Sequence, residues 1–186
     1  MIGDANVSSK YPRALAHVGV GVTDLDVAIA WYEDVLGLRL IMGPVDIAAD
    51  DSPGGEAASD VFGPSFRRLR QAHMGCGNGV ALELFEFVNP LAENSPENFN
   101  YWKTGFSHIC FIDPDVDGLA RQIARTGGKV RTRRAWQIFP NEQYRFCYCE
   151  DPFGNVLELY SHSHEQTYSN RTNDVGCSLI SPGLSI

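Results

Sequence analysis

Laid over itself, the 186-residue chain repeats at an offset of 91 residues. His17 falls opposite His108, Asp24 opposite Asp115, Leu25 opposite Val116 and Gly37 opposite Gly128, with no gap between them. In each copy an extended stretch opens at the histidine and a helix cap follows, Asp24 in the first and Asp113, with Pro114 at the first helical position, in the second. An apolar stripe at helical spacing comes next, and glycine ends it. Further on, each copy carries a glutamate between two leucines, Leu82-Glu83-Leu84 and Leu157-Glu158-Leu159. The interval from His17 to Glu83 is 66 residues and that from His108 to Glu158 is 50. The excess in the first copy falls in residues 43–64, rich in Gly, Pro, Asp and Ser, which read as one long irregular loop. Each copy therefore reads as strand, helix, strand, strand, strand, with strands of the second copy over 129–135 and 143–150. A unit with one apolar sheet face cannot bury that face alone, so the two copies should pair about a pseudo-twofold axis.

The glutamates need a physical explanation. Asp151-Pro152-Phe153-Gly154-Asn155 has the composition of a tight turn, and Val156-Leu157-Glu158-Leu159-Tyr160 that of a strand. An unpaired carboxylate beside buried leucines costs several kcal/mol at least, so Glu158 must reach solvent, pair with a cation or bind a metal. Arg70 and Arg145 are the arginines to consider for symmetric ion pairs with Glu83 and Glu158. The repeat offers a different solution. In His17-Val18-Gly19-Val20-Gly21-Val22 the valines share one face, and His17 shares the other with two glycines that leave room for something to approach. If the first and last strands of each module are neighbours, His17, Glu83, His108 and Glu158 converge. Two imidazoles and two carboxylates make an N2O2 site for a divalent metal, with positions left for water or substrate.

Composition narrows the alternatives. A net charge of -8 opposes a nucleic-acid surface, and the run Arg131, Arg133, Arg134 reads as a solvated strand face. No stretch approaches the roughly 20 apolar residues of a membrane helix, and the polar N-terminus lacks signal-peptide order, so a soluble cytoplasmic protein is expected. Five cysteines without zinc-like spacing suit reduced thiols, with Cys147 and Cys149 packed in the core. His73, His162 and His164 read as exposed. Trp136, Phe139, Tyr144 and Tyr148 read equally well as core, rim or substrate contacts. The expected organisation is an N-terminal arm over 1–13, a first module over 14–88, a linker over 89–104, a second module over 105–161 and a C-terminal tail over 162–186.

The spaced repeat and the Asp-Pro-Phe-Gly-Asn-Val-Leu-Glu hairpin resemble the vicinal oxygen chelate superfamily. It includes glyoxalase I, methylmalonyl-CoA epimerase, extradiol dioxygenases and bleomycin resistance proteins. The resemblance covers roughly residues 14–161 and implies an α+β fold of two paired βαβββ modules forming a curved mixed sheet around a metal-binding cleft. By position it implies His17, Glu83, His108 and Glu158 as ligands of one divalent ion: Zn, Ni, Co, Mn, Mg or Fe. It also implies a homodimer acting on a small molecule. A lyase or isomerase would work through a metal-stabilised enediolate or enolate, with Glu83 or Glu158 moving the proton. An Fe(II) dioxygenase would need only His17, His108 and Glu158, and a non-catalytic binding protein would typically lack the ligands. Bacterial glyoxalase I typically has Arg and Asn where this chain has Gly21 and Phe87, so a substrate other than glutathione hemithioacetal is expected.

Overall fold

A computed structural model describes residues 12–94 and 99–169. Strand β1 (His17–Val22) is followed by helix α1 (Leu25–Leu36), strand β2 (Arg39–Ala48), helix α2 (Pro53–Phe62), and strands β3 (Arg68–Gly75) and β4 (Ala81–Asn89). The second unit runs β5 (Ile109–Ile112), α3 (Val116–Arg125), β6 (Lys129–Val130), β7 (Trp136–Gln137), β8 (Arg145–Glu150) and β9 (Val156–Tyr160), and a short helix α4 (His164–Tyr168) follows. The fold is α+β. Each unit forms its own mixed sheet, in the orders β1-β4-β3-β2 and β5-β9-β8-β6, with β7 paired to β8.

The repeat is visible in the caps. Asp24 accepts from the Val27 N–H at 3.0 Å, and Asp115 accepts from the Gly118 N–H at 2.9 Å, each satisfying an otherwise orphan donor of a first turn. Gly37 closes α1 in the left-handed region at φ 67°, where a β-carbon is disfavoured.

Helices α1 and α3 cover one face of the sheets and share a single core. Val20, Val22, Leu25, Tyr32, Leu82 and Leu84 pack in it with Val116, Ile123, Cys147, Cys149, Leu157 and Leu159. Polar contacts lock the two units together: the Trp31 indole N–H donates to the Thr126 carbonyl at 3.1 Å and the Gln122 amide to that of Asp34 at 3.2 Å. Asp151 is 2% exposed and accepts from four donors: the Tyr32 hydroxyl, the Asn155 side chain, and the backbone N–H groups of Phe153 and Asn155. The Asn155 amide also donates to the Gly21 carbonyl at 3.0 Å. The hairpin motif thus ties its own turn to α1 and to the end of β1.

Four local expectations are corrected. Residues 43–64 are not irregular: β2 runs on to Ala48, and Ser52 caps α2. Helix α2 forms because Phe62, Phe66, Phe85 and Phe87 make an aromatic cluster that gives it an apolar surface to cover. The cap of α3 is Asp115, with Asp113 accepting from the Asp115 N–H at 2.7 Å, rather than Asp113 followed by Pro114 at the first helical position. The strand expected over 129–135 shrinks to Lys129–Val130. The tail begins as α4, fastened by a reciprocal Ser163–Gln166 capping box; its residues 170–186, like most of the expected arm, lie outside the described residues.

Candidate metal-binding half-sites

The face of each sheet away from α1 and α3 carries the histidine and glutamate of its module. In the first sheet Gly19, Glu83 and His73 are register neighbours across β1, β4 and β3. In the second, Cys110, Glu158 and Tyr148 occupy the corresponding row across β5, β9 and β8. Alternation along β4 and β9 places Leu82, Leu84, Leu157 and Leu159 in the core, so each glutamate must point the other way.

His17 Nε2 lies 3.3 Å from Glu83 Oε2, and His108 Nε2 lies 3.1 Å from Glu158 Oε2. Around Glu83, the Gln71 amide donates to Oε1 at 2.5 Å and His73 Nε2 stands 3.7 Å from the same oxygen. Gly19 keeps that row open; a β-carbon there would meet the Phe85 ring at 3.3 Å. Around Glu158, which is 7% exposed, the phenol of Tyr148 and the thiol of Cys110 are the hydrogen-bonding neighbours. Desolvation first and the Glu158 charge second push the Cys110 thiol up to about 12, although solvent reaches other parts of that residue. The same two causes raise the Tyr148 phenol above its ordinary value. Both groups therefore stay protonated at neutral pH and can donate to the carboxylate. His108 Nδ1 is 2.8 Å from the Ser107 hydroxyl, which accepts or donates according to the tautomer and so leaves Nε2 free for either role. The His108 ring also meets Tyr148 edge to face at 5.3 Å.

The arginine explanation of the glutamates is not realised. Arg70 pairs with Asp26 and Glu86 at 3.0 and 2.9 Å, and Arg145 with Asp117 at 2.8 Å. Two donors about 2.1 Å from one ion and at right angles sit about 3 Å apart, so the chemistry and spacing of each His–Glu pair fit one half of a divalent-metal site. The structure brings His17 to Glu83 and His108 to Glu158, but it does not merge the two pairs. Among the described residues no group of three or more His, Cys, Asp or Glu is placed to hold a metal ion.

Gln71, His73, Ser107 and Cys110 were not singled out as site residues by the sequence, Tyr148 was read equally as core, rim or substrate contact, and His73, read as exposed, turns toward Glu83. One signal was available. His73 precedes Glu83, and Tyr148 precedes Glu158, by the same ten residues. A mainly apolar cavity of about 520 Å³, walled by Val18, the end of α1 at Leu36, the β3–β4 turn at Cys76 and strand β5, reaches His108 and Cys110 of the second half-site.

A family model described as the Glyoxalase/Bleomycin resistance protein/Dioxygenase superfamily matches residues 14–159. The chain belongs to that superfamily. Over 150 residues it is 30% identical to the uncharacterized protein YaeR of Escherichia coli K12, covering 80% of this chain and 95% of the relative. Over 149 residues it is 29% identical to a 2-epi-5-epi-valiolone epimerase of Actinomyces sp., covering 78% of each. Among solved structures, a glyoxalase family protein of Bacillus cereus shares the fold with a TM-score of 0.64 at 22% identity, over 82% of this chain and 96% of that one. Superfamily membership accounts for the paired modules and the shared core. The superfamily contains many enzymes and also resistance proteins, so the reaction has to be argued from the site. No described helix is long and apolar enough to cross a membrane.

Proposed function

We propose that this protein is a divalent-metal-dependent lyase or isomerase acting on a small oxygen-bearing substrate, with each metal centre assembled from His17 and Glu83 of one copy and His108 and Glu158 of a second. The observation that carries this reading is the pair of equivalent His–Glu contacts, 3.3 and 3.1 Å, each presenting two donors and each short of the four that such a site uses. A twofold axis that sets the first half-site of one copy against the second half-site of another completes two identical N2O2 centres at once. A bound divalent ion supplies Lewis acidity toward a substrate carbonyl.

The chain's own groups do the rest. Glu83 or Glu158 takes the proton from the carbon beside that carbonyl and returns it. The Gln71 amide and the Tyr148 phenol hold the two carboxylates in place while this happens. The apolar cavity beside His108 supports a substrate less polar than glutathione hemithioacetal, in keeping with Gly21 and Phe87 at the positions where bacterial glyoxalase I typically has Arg and Asn. A relative named as an epimerase supports a reaction that moves a proton.

The test is metal content by elemental analysis after anaerobic purification, with turnover measured on a panel of thiohemiacetals, acyl-CoA esters and catechols. The expected result is about one divalent ion per chain and activity lost in Glu83→Gln and in Glu158→Gln. Full metal content and full turnover in both variants would refute the reading, and iron with catechol cleavage would replace it with a dioxygenase.

A further inference from the structure

At the outer edge of the second sheet, β7 and the chain leading into it enclose a cavity of about 550 Å³ lined by Arg134, Trp136, Gln137, Pro140 and Arg145. Three observations set it apart. The chain is acidic, with a net charge of -8, yet two arginines line this cavity. Arg134 is exposed but held in place, its guanidinium carbon 4.0 Å from the centre of the Trp136 ring, so little side-chain entropy remains to be lost on binding. Among the described residues Arg134 meets no carboxylate. Asp117 takes one amino group of Arg145 at 2.8 Å, and among the described residues no other carboxylate pairs with that guanidinium. The Gln137 amide is already committed to the Glu142 carbonyl at 2.9 Å.

We propose that this cavity is a binding site for a small phosphate monoester, distinct from the His–Glu half-sites. A guanidinium presents a planar fork of donors that matches phosphate oxygens, and one fixed in advance on an indole is suited to that task. The volume falls in the range of pockets that hold whole small molecules, so the ligand is larger than a bare phosphate. Its body lies along Trp136 and Pro140, and its phosphate meets Arg134 and Arg145. The site is separate from the proposed metal centre: Trp136 on β7 pairs with Phe146 on β8, and β8 stands between β7 and the β9 strand that carries Glu158.

The test titrates the full chain with AMP, adenosine, inorganic phosphate and succinate by calorimetry, with tryptophan fluorescence as a second readout. Saturable AMP binding is expected, with adenosine, phosphate and succinate each at least tenfold weaker. Arg134→Gln should weaken AMP at least tenfold while leaving metal content unchanged, and Trp136→Phe should abolish the fluorescence response. If Arg134→Gln lowers the melting temperature, Arg134→Lys, which keeps the charge and loses the fork, serves in its place with the same expectation. No saturable AMP binding, equal binding of succinate, or unchanged affinity in the arginine variants would overturn the proposal, and none of these results bears on the metal reading.

Discussion

If each metal centre is shared between copies, two defective chains should repair one another. Consider one variant carrying His17→Ala and Glu83→Ala, and a second carrying His108→Ala and Glu158→Ala. Each alone keeps only one of the two contacts that measure 3.3 and 3.1 Å in the native chain, so each homodimer has two half-empty sites. Mixing equal amounts under conditions that exchange subunits makes about half of the dimers mixed, and each mixed dimer has one centre with all four ligands and one with none. The mixture should therefore recover about a quarter of the native metal content and activity, from near zero in either variant. Native mass spectrometry gives the mixed fraction, and elemental analysis and turnover give the recovery. A mixture that contains mixed dimers yet recovers nothing would refute assembly between copies, because both chains would then need all four ligands themselves. Undiminished metal in either variant alone would refute the ligand assignment.

Other consequences follow from the same contacts. Asp151→Ala leaves four donors, two of them buried and two half-buried, without their acceptor and should cost about 3–5 kcal/mol, lowering the melting temperature by roughly 10 °C in a thermal scan. The Tyr32 phenol is raised well above its ordinary value by burial first and by Asp151 second. A raised folded value means that its contribution is fully present below the unfolded value of about 10 and is lost as pH rises through the folded one, so stability should hold to about pH 9.5 and fall beyond it. That fall should be shallower in Tyr32→Phe when melting is followed across pH 8–12. Tyr148→Phe removes a donor from Glu158 without disturbing the ring contact with His108 and should lower metal affinity about tenfold in a competition titration; an unchanged affinity would show that the phenol does not hold that carboxylate.

The fold and the equivalence of the two histidines and of the two glutamates were legible from local physics. The 91-residue offset, the alternation that gives Val18, Val20 and Val22 one face of β1, and the capping aspartate Asp24 are all short-range signals. A strand or helix terminus imposes them on neighbouring positions, so they can be read along the chain. Helix α2 was not legible in this way: Gly54 and Gly55 weaken its intrinsic propensity, and the aromatic surface that stabilises it comes from Phe85 and Phe87 on a distant strand. The neighbours of the glutamates were hidden for a similar reason. His73 reads like any surface histidine until the β3–β4 register sets it beside Glu83, and nothing along the chain puts Cys110 beside Glu158 until β5 pairs with β9. The sequence by itself determined which four residues are alike in the two halves. Only the tertiary structure decided that they stand as two separate pairs, because the relative placement of two sheets is set by the packing of α1, α3 and the shared core, which no periodicity within either half encodes.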